Sequence, residues 1–200
     1  MINIKLKIEN CKKGYTIIET MIAVSLFLVV IMAGMGALLN ANLLHQKSRD
    51  MRSIMDNLSF IMEDMSRNLR TGYDYRCLDA PGVITIGSPK SCASGFGIVF
   101  KPSSYNQSTN SNQWAYYIDD GKIYKSTDAS TVPLSSILLT SEEVVVDQAY
   151  GFSVLGAESY SRGNRQQPLV TIRLVGKITF KNISTPFSLQ TSVSQRFLDF

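Results

Sequence analysis

A stretch of 25 residues without a charged side chain, Thr20 to Leu44, limits what this chain can fold into more than any other feature. A helix needs about 20 apolar residues to cross the hydrocarbon of a bilayer, so this stretch is long enough. We therefore expect the protein to be inserted in a membrane at some stage. Glu19 lies immediately before the stretch, and an ionised carboxylate at membrane depth costs roughly 2.5 to 3.5 kcal/mol. We expect a positive group to neutralise it.

The residues before the apolar stretch are basic and end in a glycine, Gly14. An ordinary secretory signal peptide also begins with cations, but its apolar core is only about 7 to 15 residues and its cleavage site follows that core. Residues 1–14 carry four lysines and one glutamate, so they are expected to stay in the cytoplasm. The chain after Leu44 is then expected to face the periplasm or the cell exterior.

Residues 11 to 44 resemble the N-terminus of type IV pilins and pseudopilins. The resemblance depends on the order Lys12, Lys13, Gly14, Tyr15 and Glu19, followed by the apolar stretch. It implies that a prepilin peptidase recognises the two lysines and the glycine and cuts after Gly14. It further implies that Tyr15 is the N-methylated mature terminus and that Glu19 is the fifth mature residue. Phe is commoner than Tyr at the first mature position in the family.

The same resemblance implies three kinds of partner: the prepilin peptidase and methyltransferase, other pilin or pseudopilin subunits, and an inner-membrane assembly platform. Cleavage at Gly14 creates an amino group beside apolar residues, and this amine can pair with Glu19 of a neighbouring subunit. Breaking a buried ion pair costs roughly 3 to 5 kcal/mol, so the pair would fix the register between helices. The alternative is that Glu19 only interacts with the helix dipole or caps the helix.

Apolar residues recur at three- and four-residue steps after the membrane stretch, the pattern of an amphipathic helix. They are Met51, Ile54, Met55, Leu58, Ile61, Met62, Met65 and Leu69. A continuous helix is predicted from about Tyr15 to Arg70, ending before Gly72. Its other face is polar and includes Asp64. Gly34 and Gly36 weaken the helix interior, and local unwinding on assembly and close helix packing both remain open.

Residues 73–200 are predicted to be mostly β structure. Asp120-Gly121 is a hairpin signal between strands at 113–119 and 122–126. Further strands are predicted at 83–86, 97–100, 143–146, 152–155, 170–174, 177–180 and 187–197. The predicted fold is α+β, a pilin-like lollipop in which a long N-terminal helix packs on an antiparallel sheet. The predicted parts are a removed leader (1–14), a transmembrane or filament-core helix (15–44), its amphipathic continuation (45–72) and an extracytoplasmic head (73–200).

The three cysteines differ by compartment. Cys11 is lost with the leader, whereas Cys77 and Cys92 lie in the exported part, where disulfides persist. A bond between them would close a loop of about 15 residues, worth roughly 3 kcal/mol. Two free thiols are the alternative. No metal site is expected, because two cysteines without a nearby histidine are too few ligands for structural zinc.

The composition does not favour an enzyme. The one histidine, His45, lies at the membrane-proximal part of the helix, and no phosphate-binding loop or nucleophile elbow is present in the sequence. The adjacent Glu142 and Glu143 would point to opposite faces of a strand. Removal of the leader leaves a side-chain net charge of +1, which gives no electrostatic argument for nucleic-acid binding. No cofactor is expected.

The sequence therefore predicts a structural subunit of a type IV pilus or related filament. Its size, and the absence of a C-terminal loop bounded by cysteines, are more similar to a minor pilin or a larger minor pseudopilin than to an abundant major pilin. A minor pseudopilin of a type II secretion system is an alternative. A single-pass anchored protein whose outer domain binds a partner without polymerising is a second. An exported soluble enzyme, cut near the end of the apolar stretch, is a third.

Overall fold

A computed structural model describes residues 14–79, 87–103, 113–129, 135–147, 151–158, 166–180 and 183–196. It contains one α-helix followed by ten β-strands in this part of the chain. They are α1 (Ile17–Thr71), β1 (Tyr73–Leu78), β2 (Cys92–Gly95), β3 (Gly97–Lys101), β4 (Trp114–Asp119), β5 (Lys122–Asp128), β6 (Ser135–Leu138), β7 (Val144–Val146), β8 (Phe152–Leu155), β9 (Leu169–Phe180) and β10 (Ile183–Ser194). The predicted α+β class is confirmed.

The chain divides into two compact units, Met1–Ser48 and Arg49–Phe200, and α1 contributes to both. In the first unit the helix is continuous through Gly34 and Gly36, where an added Cβ would meet nothing within 4 Å. Within the described residues, α1 is also the one helix long and apolar enough to cross a membrane.

The second unit contains two antiparallel sheets rather than the one sheet expected. The strand orders are β1-β3-β4-β5-β6 and β10-β9-β8-β2, and β7 pairs with β9 beside β8. The predicted hairpin at Asp120-Gly121 joins β4 to β5, and both turn residues have positive φ, 45° and 71°. The predicted strand at 83–86 lies outside the described residues.

The core of the second unit combines the apolar stripe of α1 with the inner faces of both sheets. The buried side chains of the stripe are Leu58, Ile61, Met62, Met65 and Leu69, and Met51, Ile54 and Met55 pack against them half-buried. The sheets contribute, among others, Ile98, Phe100, Tyr116, Ile118, Ile172, Leu174 and Ile178. The amphipathic period read from the sequence therefore identifies the buried face of the helix correctly.

Hydrogen bonds from β1, which follows the helix, and from the residue pair after β10 hold the C-terminal end of α1. The Tyr75 hydroxyl contacts the main-chain carbonyl of Leu69 and donates to that of Gly72 at 2.8 Å. The N–H of Arg196, just after β10, donates to the carbonyl of Arg70 at 2.9 Å. The last carbonyls of a helix have no partner within it, so these contacts fix the helix end to the sheets.

Candidate functional site

The first turn of α1 is the candidate site for processing and assembly. Gly14 to Thr16 precede the helix, and the N–H groups of Glu19 and Thr20 donate to the Thr16 carbonyl at 3.1 and 3.2 Å. Thr16 is thus the N-cap residue, immediately before the helix begins at Ile17. The Glu19 side chain lies in the first turn, at the end where the helix dipole favours negative charge.

The Glu19 carboxylate is exposed and has no hydrogen-bond or ion-pair partner within the part of the chain that the structure describes. The spacing of Thr16 and Glu19 would permit a capping box, in which each side chain bonds the other residue's N–H. Neither side-chain bond is present among the described residues. Local capping therefore does not account for the acid at this position.

Apolar side chains surround Glu19 and, like Glu19, are exposed. Tyr15 is 80% exposed, Ile17 82% and Met21 68%, and the exposed apolar surface continues along the helix to Leu44. Exposed apolar patches of this length mark protein or membrane contacts. The segment is therefore a surface that requires lipid or other helices around it.

The space around Gly14 is open: a Cβ added at this position would meet no atom within 4 Å. A glycine is thus not required there by the folded chain. Lys12 and Lys13, predicted to be recognised by the peptidase, lie outside the described residues.

The head contains the predicted disulfide between Cys77 and Cys92, whose Cα atoms are 5.8 Å apart. Cys77 lies on β1 of the first sheet and Cys92 on β2 of the second, so the bond joins the two sheets. Gly95 packs against both sulfurs, since a Cβ there would lie 3.2 Å from Cys92 Sγ and closer still to Cys77 Sγ.

A polar cluster that the sequence did not predict connects α1 to β4 and β5. Asp64 Oδ2 accepts hydrogen bonds from Tyr116 (2.7 Å) and Lys125 (2.8 Å), and Asn68 donates to Asp64 Oδ1 at 3.1 Å. The Lys125 ammonium also lies 5.2 Å from the centroid of the Trp114 ring. Asp64 is half-buried rather than solvated. No local pattern could have shown this, because Lys125 is 61 residues away.

The cluster shifts two pKa values in opposite directions. Partial burial tends to raise the pKa of Asp64, but the hydrogen bonds from Lys125, Tyr116 and Asn68 outweigh it and hold that pKa below its usual value. Burial, followed by the hydrogen bond to Asp64, raises the pKa of Tyr116 far above its usual value. Asp64 is therefore ionised and Tyr116 protonated across the physiological range, which suits a structural role.

Within the described residues, no group of three or more His, Cys, Asp or Glu side chains could hold a metal ion. His45 is exposed on the helix. Glu142 and Glu143 lie in the exposed turn before β7, at the start of the predicted strand.

A long helix with an exposed apolar N-terminal part, followed by antiparallel sheets, defines a pilin-like α+β protein. Residues 10–35 match the family model of the prokaryotic N-terminal methylation motif. No curated protein and no solved structure matches the chain. The matched motif supports the resemblance of the chain to type IV pilins and pseudopilins. Its motif implies processing by a prepilin peptidase and assembly with other pilin subunits.

Proposed function

We propose that the protein is a minor subunit of a type IV pilus or a closely related filament. In this proposal residues 1–14 are a cytoplasmic leader, prepilin peptidase cuts after Gly14, and Tyr15 becomes the N-methylated terminus. Residues 15–44 span the inner membrane and then enter the filament core, and 45–72 continue the helix. Residues 73–200 form the periplasmic or extracellular head.

The main support for the proposal is the environment of the Glu19 side chain. Its carboxylate is exposed, lacks a partner among the described residues and is surrounded by exposed apolar side chains. In lipid this arrangement is unfavourable by roughly 2.5 to 3.5 kcal/mol, and a cation from another molecule would remove that penalty. The amine freed at Tyr15 by cleavage is a cation placed in the same apolar surroundings. Glu19 therefore acts as an assembly contact between subunits.

Replacement of Glu19 by alanine tests the assembly role. Glu19→Ala should be cut and inserted normally but should be missing from sheared filaments. Glu63→Ala is the matched control, because Glu63 is an exposed glutamate on the same helix whose side chain is 71% accessible. Incorporation of Glu19→Ala at the level of Glu63→Ala would contradict the assignment.

Replacement of Gly14 tests the cleavage site. Gly14→Val introduces a branched side chain where the structure has open space, so the variant should fold as the wild type does. The Gly14→Val variant should accumulate as an uncut precursor if the peptidase recognises this glycine. Gly34→Val is the control, because Gly34 also has open space around it but lies in the middle of the apolar helix. Normal processing of Gly14→Val would place the cut elsewhere.

A further inference from the structure

Strand β10 forms an edge of the second sheet, and no strand in the described part of the chain pairs with its outer side. It pairs with β9 at every one of its twelve positions, from Ile183 to Ser194, without a shift in register. A strand of this length spans about 40 Å. The second sheet therefore ends in a long and regular edge.

The main-chain groups of every second residue of β10 point away from β9. In an antiparallel pair, alternate residues of each strand turn their N–H and C=O groups toward the partner strand. The N–H of Gln195 donates to the carbonyl of Pro168, just before β9, at 3.1 Å, so the odd-numbered residues of β10 bond β9. The N–H of the next residue, Arg196, donates instead to the Arg70 carbonyl at the end of α1. The even-numbered residues therefore face outward.

Pro186 agrees with this direction, because it is even-numbered and has no N–H to donate. A proline inside a regular strand is confined to the edge of a sheet, with the missing N–H on the outer side. Between Pro186 and Arg196 the outward residues are Ser188, Gln190, Ser192 and Ser194. Their main-chain N–H and C=O groups have no partner among the described residues. We call these four residues the free edge of β10.

The free edge lacks the features that usually prevent a sheet edge from pairing. Such edges are typically short, interrupted by bulges or charged. The strands at the other sheet ends, β1, β2 and β6, are six, four and four residues long, and each has a shift in its register. By contrast, β10 has twelve residues, a regular register and no charged side chain. A strand of this kind is a template for a further strand.

The side chains next to the free edge indicate which strand would fit there. On the core side of β10, Phe187 and Val193 are buried and Leu189 is half-buried. On the opposite face the side chains of the free edge are polar and uncharged, and the charged residues beside them on β9 are Arg173 and Lys177. Neither β9 nor β10 contains an acidic residue. An added strand with apolar residues on the core side and acidic residues on the other side would complement both faces.

We propose that the free edge of β10 binds an extended segment of another protein as an additional antiparallel strand. In this segment apolar side chains alternate with acidic ones. Main-chain hydrogen bonds to the free edge provide affinity, and the alternating side chains provide specificity. A second copy of this chain fits less well, because its own edge would bring the same basic groups to the interface.

Amide hydrogen exchange of the full-length chain in detergent tests the proposal. The probe is a synthetic peptide of about seven residues with blocked ends, in which valine alternates with glutamate. Without the peptide, the N–H groups of Ser188, Gln190 and Ser192 should exchange fast. Those of Leu189 and Thr191, which bond β9, should be protected. Saturating peptide should slow exchange at the three outward positions by about tenfold or more.

Methylation of selected peptide nitrogens shows whether the peptide binds as a strand. Residues directly opposite each other in an antiparallel pair have their side chains on the same face. The glutamates of the probe therefore lie opposite the outward residues of β10 and exchange hydrogen bonds with them, whereas the valine N–H groups point away. Methylation of the glutamate nitrogens should abolish protection, and methylation of the valine nitrogens should preserve it.

Two variants of Gln190 provide the matched test on the protein. Gln190→Pro removes one outward N–H, as at Pro186, without removing a bond to β9, and should weaken the protection by the peptide. Gln190→Ala removes the side chain but keeps the N–H, and should bind the peptide as the wild type does. The comparison of the two methylated peptides uses the wild-type chain, so it does not depend on the folding of either variant.

The proposal is supported if protection requires the glutamate N–H groups and the N–H of residue 190. It is overturned if the unmethylated peptide gives no protection, if both methylated peptides protect equally, or if Gln190→Ala loses protection as Gln190→Pro does. Slower exchange at the outward positions without peptide, at raised protein concentration, would indicate a second copy of this chain as the occupant and would also overturn it.

Discussion

The pair between Asp64 and Lys125 should contribute measurably to the stability of the head. Lys125 Nζ lies 2.8 Å from Asp64 Oδ2, and the two side chains are 17% and 30% exposed, the lysine being the less exposed. Fully exposed pairs contribute about 0 to 1 kcal/mol, whereas loss of one partner from a fully buried pair costs about 3 to 5 kcal/mol. We expect Lys125→Met to lower the free energy of unfolding by about 2 kcal/mol, between these two limits.

A double-mutant cycle isolates the pair itself. Lys125→Met, Asp64→Asn and the double variant should give a coupling energy of about 1 to 1.5 kcal/mol, since residues in one hydrogen-bonded network couple by about 0.5 to 3 kcal/mol. The full mature chain is unfolded with denaturant in detergent, and the fluorescence of its single tryptophan is followed. Trp114 is suitable because its ring contacts Lys125. The exposed pair Glu63–Arg67 is the control and should couple by about 0.5 kcal/mol or less.

The same pair predicts a pH dependence of known sign. The pKa of Asp64 is lower in the folded chain than in the unfolded chain, where a free Asp titrates near about 3.9. Its stabilisation is therefore complete above that value and is lost as the pH falls through the folded pKa. The difference between wild type and Asp64→Asn should be constant from about pH 5 to 8 and shrink in more acidic solution. A coupling energy near zero, or a difference independent of pH down to the acid limit, would refute the reasoning.

Three further predictions concern the head and the helix. Replacing both Cys77 and Cys92 with serine should lower the free energy of unfolding by roughly 3 kcal/mol, as measured in denaturant without reductant. Tyr75→Phe should cost about 1 to 2 kcal/mol in the same assay, because the Gly72 carbonyl loses its hydroxyl donor and the Leu69 carbonyl loses its contact with that hydroxyl. Gly176→Ala should cost about 1 to 3 kcal/mol, since the new Cβ would overlap the carbonyl of β7, while Gly34→Ala, with open space around it, should be neutral or slightly stabilising.

Short sequence patterns correctly predicted the buried face of the helix and one β-hairpin. The stripe from Met51 to Leu69 identifies the buried face of α1, and Asp120-Gly121 marks the β4–β5 hairpin. Each of these two signals is formed by residues that are only a few positions apart in the sequence. The motif around Gly14 and Glu19 is equally local, which is why the resemblance to pilins was visible in the sequence before the fold was known.

The pairing of strands that are far apart in the chain could not be predicted from the sequence. Strands β1, β2 and β6 lack a clear alternation and were not predicted, and the division into two sheets depends on pairings between distant segments. The predicted strands at 170–174 and 177–180 form one strand, β9, which pairs with β10 without interruption from Leu169 to Phe180. Asp64 belongs to the polar face in the sequence, and its partners on β4 and β5 become visible only in the fold.

The N-terminal residue of the protein recovered from cells is the most direct test of the account. Mass spectrometry of the intact chain and of its first peptide should find N-methylated Tyr15, with residues 1–14 absent. An N-terminus at Met1 would leave Glu19 without the amine that is proposed to neutralise it, and would indicate an anchored protein that does not polymerise. An N-terminus beyond about Ala37 would indicate a soluble exported protein and would equally contradict the account.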